Sequence, residues 1–260
     1  GEILSDSGEW NELREFVKQC ENSDQLTSNS FEVQEKQLVD LVEQYPDRVY
    51  PFFAVDPRRS ELFDAPGKQA GIQKIVSRLR TAGGPFSGIK LYAPNGYSPA
   101  DERLLPLYEY CEAHQVPITA HCSAGGFASF ASSVDVRGPV YENGEVVTRP
   151  GLYRFQYNGL FDSRRVTERA NVLNHPKIWN ELLQEYPRLK VNLAHFGSQD
   201  PGRQTEWTDC IWEMMHRYPN LYTDFSCITD HSELEYMYMH YFKDAETGVK
   251  SRFLYGSDYY

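Results

Sequence analysis

Val116-Pro-Ile-Thr-Ala-His121 is a short apolar and β-branched run that ends on a side chain able to bind a metal ion. Two later runs have the same form, Val191-Asn-Leu-Ala-His195 and Phe253-Leu-Tyr-Gly-Ser-Asp258. Runs of this length and composition are typical of buried β-strands. Parallel strands end at the same edge of a sheet, so we expect the three end residues to converge above that edge.

A helical stretch that ends in Tyr-Pro recurs along the chain, and an apolar strand follows each copy. The copies end at Tyr45-Pro46, Tyr186-Pro187 and Tyr218-Pro219. Proline just past the end of a helix prevents its continuation, and the tyrosine can pack back against the last turn. Helices that alternate with strands in this way indicate a parallel sheet.

This alternation predicts six strands with helices between them. The predicted strands are 49–55, 87–92, 116–121, 190–195, 221–226 and 252–257. The predicted helices are 8–20, 31–45, 69–81, 102–114, 175–186, 204–217 and 231–243. A (β/α)₈ barrel has two more strands. We therefore expect an α/β fold of the TIM-barrel type that is incomplete, with strands 3–8 present and strands 1–2 and the last helix missing.

Residues 124–174 connect the third predicted strand to the next helix, and they show little periodicity. They are rich in Gly, Ser, Arg and aromatic residues. Unstructured connections of this length are uncommon in compact domains and are usually functional. We expect residues 1–260 to form a single domain, a barrel fragment in which 124–174 is a lid-like loop insertion. Its arginines could clamp an anionic substrate or remain solvated; they are Arg137, Arg149, Arg154, Arg164 and Arg165.

The composition excludes several classes of function. A formal charge of −11 argues against nucleic acid as a partner, because phosphate binding requires clustered Lys and Arg. No apolar run reaches the length of a membrane span, so no membrane partner is expected. The five cysteines are scattered and lack a C-x-x-C spacing, which favours a reduced, cytoplasmic location. A small-molecule substrate is the expected partner.

The strand ends also carry a family resemblance. The motifs are Gly88-Ile-Lys-Leu-Tyr-Ala-Pro94, Ile118-Thr-Ala-His-Cys122, Asn192-Leu-Ala-His-Phe-Gly197, Leu221-Tyr-Thr-Asp-Phe-Ser226 and Leu254-Tyr-Gly-Ser-Asp258. In their order and spacing the chain resembles the amidohydrolase superfamily, and within it the decarboxylase-like amidohydrolase-related branch. The resemblance spans roughly residues 46–260.

The resemblance implies a divalent metal, zinc first and manganese second, held by His121, His195 and Asp258. It also implies catalytic roles for His195 and Asp258, and substrate contacts from Lys90 and Tyr92. The chain departs from the family pattern in one respect, because no His-x-His pair, the strand-1 ligands of the family, occurs in it. An Asp beside a metal-activated water can accept its proton.

Each of these residues has a structural alternative. A strand-end His could be a hydrogen-bonded structural residue, and Asp258 could cap a following helix. Lys90 could be carboxylated and bridge two metals, or it could pair with a substrate carboxylate. Tyr92 could serve packing alone. Asp224 and Ser226 could support the metal ligands from the side away from the metal, or they could have no role in the site.

Two local expectations concern single residues. Strict alternation predicts that Val191 and Leu193 share the face of His195, while Asn192 faces the helices. His175 precedes a proline at the start of a predicted helix, which indicates a local capping role.

The expected function is a metal-dependent hydrolase that acts on a small carboxylate, amide, ester or lactone through a metal-activated water. One alternative is metal-dependent non-oxidative decarboxylation at the same kind of site. Another is a non-catalytic barrel remnant that serves as a scaffold. Relatives of this kind are often homodimers, so a homodimer is a further expectation.

Overall fold

The computed structural model of the chain describes residues 28–63, 68–159, 162–197, 205–228 and 231–256. The predicted helix 8–20 lies outside these residues, and so does Asp258. The described residues are organised around one parallel sheet, with helices and one insertion packed against it.

Ten strands occur in the described residues, and six of them form the main sheet. The strands are β1 (Phe52–Ala54), β2 (Gly88–Leu91), β3 (Ile118–Ser123), β4 (Ser133–Val136), β5 (Pro139–Glu142), β6 (Glu145–Thr148), β7 (Gly151–Arg154), β8 (Val191–Gly197), β9 (Leu221–Asp224) and β10 (Phe253–Leu254).

The order across the main sheet is β1-β2-β3-β8-β9-β10, and every neighbouring pair is parallel. Each strand therefore lies beside the one that precedes it in this series, which is the order found in a (β/α)₈ barrel. All six predicted strands are confirmed. The predicted fold class, an α/β sheet of an incomplete TIM-barrel type, is confirmed as well.

Helices alternate with the strands as the sequence pattern predicts. They are α1 (Ser28–Gln44), α2 (Ser60–Phe63), α3 (Lys68–Val76), α4 (Leu105–His114), α5 (Arg164–Asn174), α6 (Pro176–Glu185), α7 (Thr205–Arg217), α8 (His231–Met237) and α9 (Thr247–Lys250). In α7, Ile211, Met214 and Met215 recur at helical spacing and are buried. They belong to the same core cluster as Val191 and Leu193 of β8, so α7 packs against this face of the sheet.

The Tyr-Pro junctions end their helices as expected. The backbone N–H groups of Tyr45, Tyr186 and Tyr218 each donate to a carbonyl four residues earlier, at 2.8 to 2.9 Å. Tyr186 and Tyr218 are buried, whereas Tyr45 is exposed. The motif therefore closes the last turn in all three copies and adds to the core in two.

The insertion carries regular structure that its sequence did not predict. Strands β4 and β7 pair antiparallel, and the hairpin of β5 and β6 is nested between them. The hairpin turns at Asn143-Gly144, where φ is 52° and 92°, as a type I′ turn requires. A small separate core lies beneath these strands and includes Val136, Phe155 and Leu173. Each strand is only four residues long and pairs locally, which is why no long periodic pattern marks it.

Two buried arginines of α5 fasten the insertion. Arg169 donates to the backbone oxygens of Tyr157 and Ala131 at 2.6 and 2.8 Å, and burial lowers the pKa of its guanidinium to about 10. Arg165 donates to the carbonyls of Ala128 and Ser129 at 3.0 and 2.8 Å. Arg165, one of the loop arginines considered for substrate binding, therefore holds the protein backbone instead.

In the described ranges, no helix combines the length and the apolar character that crossing a membrane requires. Each of the four cysteines among these residues is a free thiol. Burial raises the pKa of Cys111 to about 12, so this thiol stays protonated at neutral pH.

Candidate functional site

His121 and His195 lie side by side at the carboxyl ends of two adjacent strands. β3 pairs directly with β8, and His121 is aligned with Ala194 in this pairing. Nε2 of His195 is 3.1 Å from Nδ1 of His121, and both side chains are about 4% exposed. The structure thus brings together two of the three residues that the sequence predicted to converge. Asp258 lies outside the described residues.

A bulge in β8 sets the direction of His195. The register with β3 shifts after His121, and His195, Phe196 and Gly197 have positive φ values of 70°, 48° and 74°. A side chain at Gly197 would place its Cβ 2.9 Å from Cβ of Trp207, so only glycine fits there. The left-handed backbone lets the chain turn His195 toward His121.

The bulge overturns the strict alternation expected along β8. Val191 and Leu193 are fully buried in the core shared with the helices. Asn192 instead donates through Nδ2 to Oδ2 of Asp224, which in turn accepts from the backbone of His195. The prediction that Asn192 faces the helices is wrong, because the extra bulge residue shifts His195 out of the two-residue period.

The outer nitrogen of His195 is a hydrogen-bond donor. Nδ1 lies 2.9 Å from Oγ of Ser226 and 3.2 Å from the carbonyl oxygen of the same residue. The hydroxyl proton of Ser226 is directed to Asp224, so Oγ acts as an acceptor toward the ring. A carbonyl oxygen accepts only. Nδ1 therefore carries the proton, and in the neutral ring Nε2 presents its lone pair to His121.

The carboxylate of Asp224 fixes His195 and Ser226 by hydrogen bonds. Its carboxylate accepts from the side chain of Asn192 at 2.7 Å, from the backbone N–H of His195 at 3.0 Å, and from the N–H and hydroxyl of Ser226. Burial raises the pKa of Asp224, but these hydrogen bonds outweigh burial and keep the pKa below its ordinary value. The residue is therefore an anion at neutral pH.

The ring of His121 is held by hydrogen bonds in the same way as that of His195. Its Nε2 lies 3.0 Å from the carbonyl oxygen of Gly125, and Oγ of Ser123 lies 3.2 Å from the same nitrogen. The backbone of His121 is fixed as well, because Nδ2 of the buried Asn174 donates to its carbonyl oxygen at 2.8 Å. Since the Gly125 carbonyl can only accept, Nε2 carries the proton. In the neutral ring Nδ1 then presents its lone pair to His195.

The two facing nitrogens therefore both present lone pairs across 3.1 Å. This contact is repulsive between two neutral rings, and a cation shared by both nitrogens relieves it. A proton can fill this role, and so can a divalent ion, because imidazole binds zinc at about 2.0–2.1 Å and two such bonds span the observed gap. The outward N–H groups donate to oxygen, which is the arrangement found behind metal-binding histidines. The pair fits a metal.

The described part of the chain contains no third His, Cys, Asp or Glu grouped with this pair. Two imidazoles alone make an incomplete ligand set for a zinc site, which has three protein ligands when it is catalytic. Asp258 is the residue that the sequence predicts for a further position, and it lies outside the described residues.

Tyr92 forms the wall next to His121. Its ring stacks on the imidazole with centroids 4.3 Å apart and an interplanar angle of 19°. Its backbone N–H donates to the hydroxyl of the buried Tyr97 at 2.7 Å, and its own hydroxyl accepts from the N–H of Phe127 at 2.8 Å. Tyr92, predicted as a substrate contact, is thus fixed against a candidate ligand.

Lys90 lies one level below the histidine pair. It is aligned with Thr119 of β3, which in turn is aligned with Asn192 of β8. Residues two apart on a strand share a face, so Lys90 belongs to the face that carries Tyr92 and His121. Its side chain is partly buried. The structure therefore places Lys90 on the floor of the candidate site.

Several residues of the site were missed by the sequence reasoning. They are Ser123, Gly125, Asn174 and Asn192. Asn174 lies 53 positions from His121 along the chain, and no local pattern links the two. Gly125 acts through its backbone carbonyl, which any residue type carries. Asp224 and Ser226, whose role the sequence left open, support His195.

His175 has the predicted capping role. Its Nδ1 accepts from the backbone N–H of Lys177 at 3.2 Å, which caps α6. Its ring stacks on Tyr141 of the insertion with centroids 3.7 Å apart. Burial lowers its pKa to about 4; Glu206 raises the value in part, and Lys177 lowers it further. His175 is therefore a neutral structural residue that holds the insertion.

Comparison with known proteins identifies the family. The model of the amidohydrolase family matches residues 16–260. Among curated proteins, none matches this chain.

The solved structures that are similar to this chain are distant in sequence. An uncharacterized TIM-barrel protein from Bordetella bronchiseptica is 16% identical, with 86% of this chain and 59% of that chain covered and a TM-score of 0.49. 5-Carboxyvanillate decarboxylase from Sphingomonas paucimobilis is 15% identical, with 89% of this chain and 62% of that chain covered and a TM-score of 0.49. 2,6-Dihydroxybenzoate decarboxylase from Rhizobium is 15% identical, with 86% of this chain and 64% of that chain covered and a TM-score of 0.40.

The chain spans about three fifths of the length of the first two of these proteins. The family match, in contrast, extends over nearly all of this chain, and the motifs at its strand ends lie within the match. The chain belongs to the amidohydrolase family.

Proposed function

We propose that the chain is a metal-dependent hydrolase that acts on a small carboxylate, amide, ester or lactone. The observation that carries the proposal is the contact between the two imidazoles. Their facing nitrogens are 3.1 Å apart, and the outward nitrogen of each ring lies next to an acceptor oxygen. Two neutral rings held in these tautomers cannot hydrogen bond to each other, so the pair is suited to share a cation.

His121 and His195 are the proposed ligands, with zinc as the first expectation and manganese as the second. Asp258 remains the predicted third ligand. A divalent ion supplies positive charge that lowers the pKa of a nearby water molecule and stabilises negative charge developing on a substrate oxygen. Imidazole nitrogens and a carboxylate suit both of these metals.

The protein residues supply orientation and proton transfer. Asp224 and Ser226 keep the Nδ1 proton on His195, so its Nε2 stays directed into the site. The carboxylate of Asp258 is the proposed acceptor of a proton from the attacking water. His195 assists as a ligand that is held in one tautomer throughout.

Substrate binding is proposed for Lys90 and Tyr92. An ammonium group on the floor of the site attracts a substrate carboxylate, and burial of part of the side chain strengthens this attraction. The ring of Tyr92 stacks on the His121 ring and forms a flat wall there. Together they favour an anionic substrate with an apolar body over a neutral, fully polar one.

The proposal is tested by product analysis on zinc-loaded protein. Phenyl acetate, γ-butyrolactone, acetanilide and 2,6-dihydroxybenzoate are incubated with the chain, and the products are identified by mass spectrometry. We expect addition of water to one of the first three, abolition by chelator and recovery with zinc. His121→Ala and His195→Ala should each lower the rate at least about 100-fold.

The control variant is His216→Ala, because His216 is exposed and its ring contacts only the helix that carries it among the described residues. Its rate should equal that of the wild type. Release of carbon dioxide from 2,6-dihydroxybenzoate would mean that the site catalyses decarboxylation and that the hydrolase proposal is wrong. Bound zinc with no turnover in any sample would contradict catalysis and favour a non-catalytic module.

A further inference from the structure

A cluster of side chains outside the candidate site joins the insertion to two helices. At its centre is the buried ring of His175, at the junction of α5 and α6. The ring of Tyr141, on β5 of the insertion, stacks on it with centroids 3.7 Å apart and an interplanar angle of 14°. The ring of Trp207, in the first turn of α7, packs edge to face against it at 5.1 Å. We call Tyr141, His175, Lys177, Glu206 and Trp207 the junction cluster.

Polar contacts connect the same elements. Oε1 of Glu206 on α7 accepts from the hydroxyl of Tyr141 and from Nζ of Lys177 on α6, both at 3.1 Å. The hydrogen bond from Lys177 lowers the pKa of Glu206, so this carboxylate is charged at neutral pH. Nε2 of His175 carries the proton, because Nδ1 accepts from the backbone of Lys177, and it lies 3.8 Å from the same carboxylate oxygen. The insertion, α6 and α7 therefore meet at one carboxylate.

One route leads from this cluster to His121. Asn174 directly precedes His175 in the chain and is fully buried. Its Nδ2 donates to the carbonyl oxygen of His121 at 2.8 Å, while its Oδ1 has no hydrogen-bond partner among the described residues. The amide of Asn174 is thus oriented by one hydrogen bond and by the position of the α5–α6 junction. A shift of that junction would move the backbone of His121.

A second route leads from the cluster to His195. Gly197, two residues after His195, packs so closely on Trp207 that an added Cβ atom would lie 2.9 Å from the Trp207 Cβ. The hydroxyl of Thr208 donates to the carbonyl oxygen of Phe196 at 3.0 Å. The first turn of α7 is therefore packed against the two residues that follow His195. Their left-handed backbone needs support from its surroundings, so a shift of α7 would turn His195.

We propose that Tyr141 is a positioning residue that sets the spacing of the histidine pair through the junction cluster. Its ring holds His175 at the start of the route to His121. Its hydroxyl holds Glu206 at the start of the route to His195. The inference rests on the proposed function, because it takes the two histidines as ligands of one metal ion. Two imidazoles share an ion only at a suitable spacing, so loosening either route weakens metal binding.

The experiment measures zinc affinity by equilibrium dialysis at a temperature where circular dichroism shows every variant to be folded. Tyr141→Leu removes the ring and the hydroxyl but keeps an apolar side chain. It should raise the zinc dissociation constant about ten-fold. Tyr141→Phe keeps the stacked ring and loses one hydrogen bond, so it should bind zinc within about three-fold of the wild type. A residue that only stabilised the insertion would lower the free energy of unfolding and leave the zinc affinity of the folded chain unchanged.

Tyr153→Leu is the matched control. The ring of Tyr153 packs on Phe155 in the core of the insertion, so its loss loosens the insertion as well. This variant should bind zinc as the wild type does. An equal loss of affinity in Tyr153→Leu would overturn the inference, because the site would then respond to the insertion as a whole. Wild-type affinity in Tyr141→Leu would overturn it too.

A second measurement needs no zinc. The ring nitrogens of histidine are labelled with nitrogen-15 and observed by NMR in the metal-free chain. Tyr141→Leu should shift the signals of His121 and His195 and leave those of the exposed His216 unchanged. Unchanged signals of the pair would overturn the inference. A wild type that binds no zinc would contradict the proposed function alone, and the NMR comparison would then decide whether Tyr141 positions the pair.

Discussion

Asp224 positions His195 without touching its ring. The carboxylate accepts from the backbone N–H of His195 and from the hydroxyl of Ser226, and Ser226 in turn accepts from the ring. Burial raises the pKa of Asp224, and the hydrogen bonds lower it by more. Its folded pKa is below the unfolded value, so the stabilisation is present above the unfolded pKa and is lost as the pH falls through the folded pKa.

Asp224→Asn replaces one acceptor oxygen by a donor group. The new amide then meets the Nδ2 donor of Asn192, or it leaves the donors of Ser226 and His195 without a partner. We expect a loss of about 3 kcal/mol in the free energy of unfolding, measured in urea at pH 7. Asp135→Asn is the control, since its side chain is 62% exposed, and it should change stability by less than about 0.5 kcal/mol.

His175 is the second residue whose environment sets a pH dependence. Its folded pKa of about 4 lies below the unfolded value of about 6.5. The groups that face it are Tyr141, Lys177, Glu206 and Trp207. Between the two pKa values the unfolded chain binds the extra proton, so stability rises with pH across this window.

His175→Asn should flatten this rise. Asparagine is a favoured helix cap, and it does not titrate. Between pH 7 and pH 4 we expect the wild type to lose about 2 to 3 kcal/mol more than the variant does, in urea unfolding at matched ionic strength. His216→Asn, at an exposed position, should follow the wild-type curve. Parallel curves for wild type and His175→Asn would show that burial of this ring does not drive the acid loss.

Among the elements, the six strands of the main sheet were predicted from the sequence, and the four strands of the insertion were not. Strand ends such as Val191-Asn-Leu-Ala-His195 carry an apolar run and a polar stop, and both can be read locally. The Asn143-Gly144 turn of the insertion has a sequence that favours a type I′ turn, but its flanking strands are only four residues long and were not predicted. The bulge at His195 has no comparable pattern, and its Gly197 packs closely against Trp207 of the next helix.

The loop after β3, residues 124–128, can be tested with two glycines that have the same φ. Gly126 and Gly144 both have φ of 92°, but of the two only Gly126 has neighbouring atoms within 4 Å of the place that a Cβ atom would occupy. Gly144→Ala should cost about 1 kcal/mol of stability from backbone strain alone. Gly126→Ala should cost at least about 2 kcal/mol, because its methyl group also collides with Tyr92 and His121.

Hydrogen exchange adds a local measurement to this comparison. The amide of Phe127, protected by Tyr92, should exchange faster in Gly126→Ala and at the wild-type rate in Gly144→Ala. Equal losses of stability with unchanged exchange at Phe127 would mean that residues 124–128 do not lie against the rings of Tyr92 and His121.

At the scale of the whole molecule, the parallel sheet explains why distant residues meet. His121 and His195 are 74 positions apart, yet each lies two residues before the end of its strand, and the two strands are neighbours. The alternation of helix and strand predicted that the two histidines lie close together. The family resemblance predicted that they bind a metal. The supporting contacts from Asn174 and Asp224 depend on packing between elements, which single-sequence patterns do not specify.

Metal binding should stabilise the whole domain, because the pair joins β3 to β8 in the middle of the sheet. Zinc at about 100 times its dissociation constant should add about 2.7 kcal/mol to the free energy of unfolding. Calorimetric melting of the wild type should shift upward with zinc and return with chelator. His195→Ala should melt at one temperature in both conditions, and an equal zinc shift in this variant would assign the effect to another site.

The most direct test of the account is the number of zinc ions bound per chain, determined by equilibrium dialysis and elemental mass spectrometry. The wild type should bind one ion, and His121→Ala and His195→Ala should each weaken its affinity at least about 100-fold, while His114→Ala, at an exposed helical position, retains it. Wild-type protein without zinc, or histidine variants that keep it, would contradict the metal site.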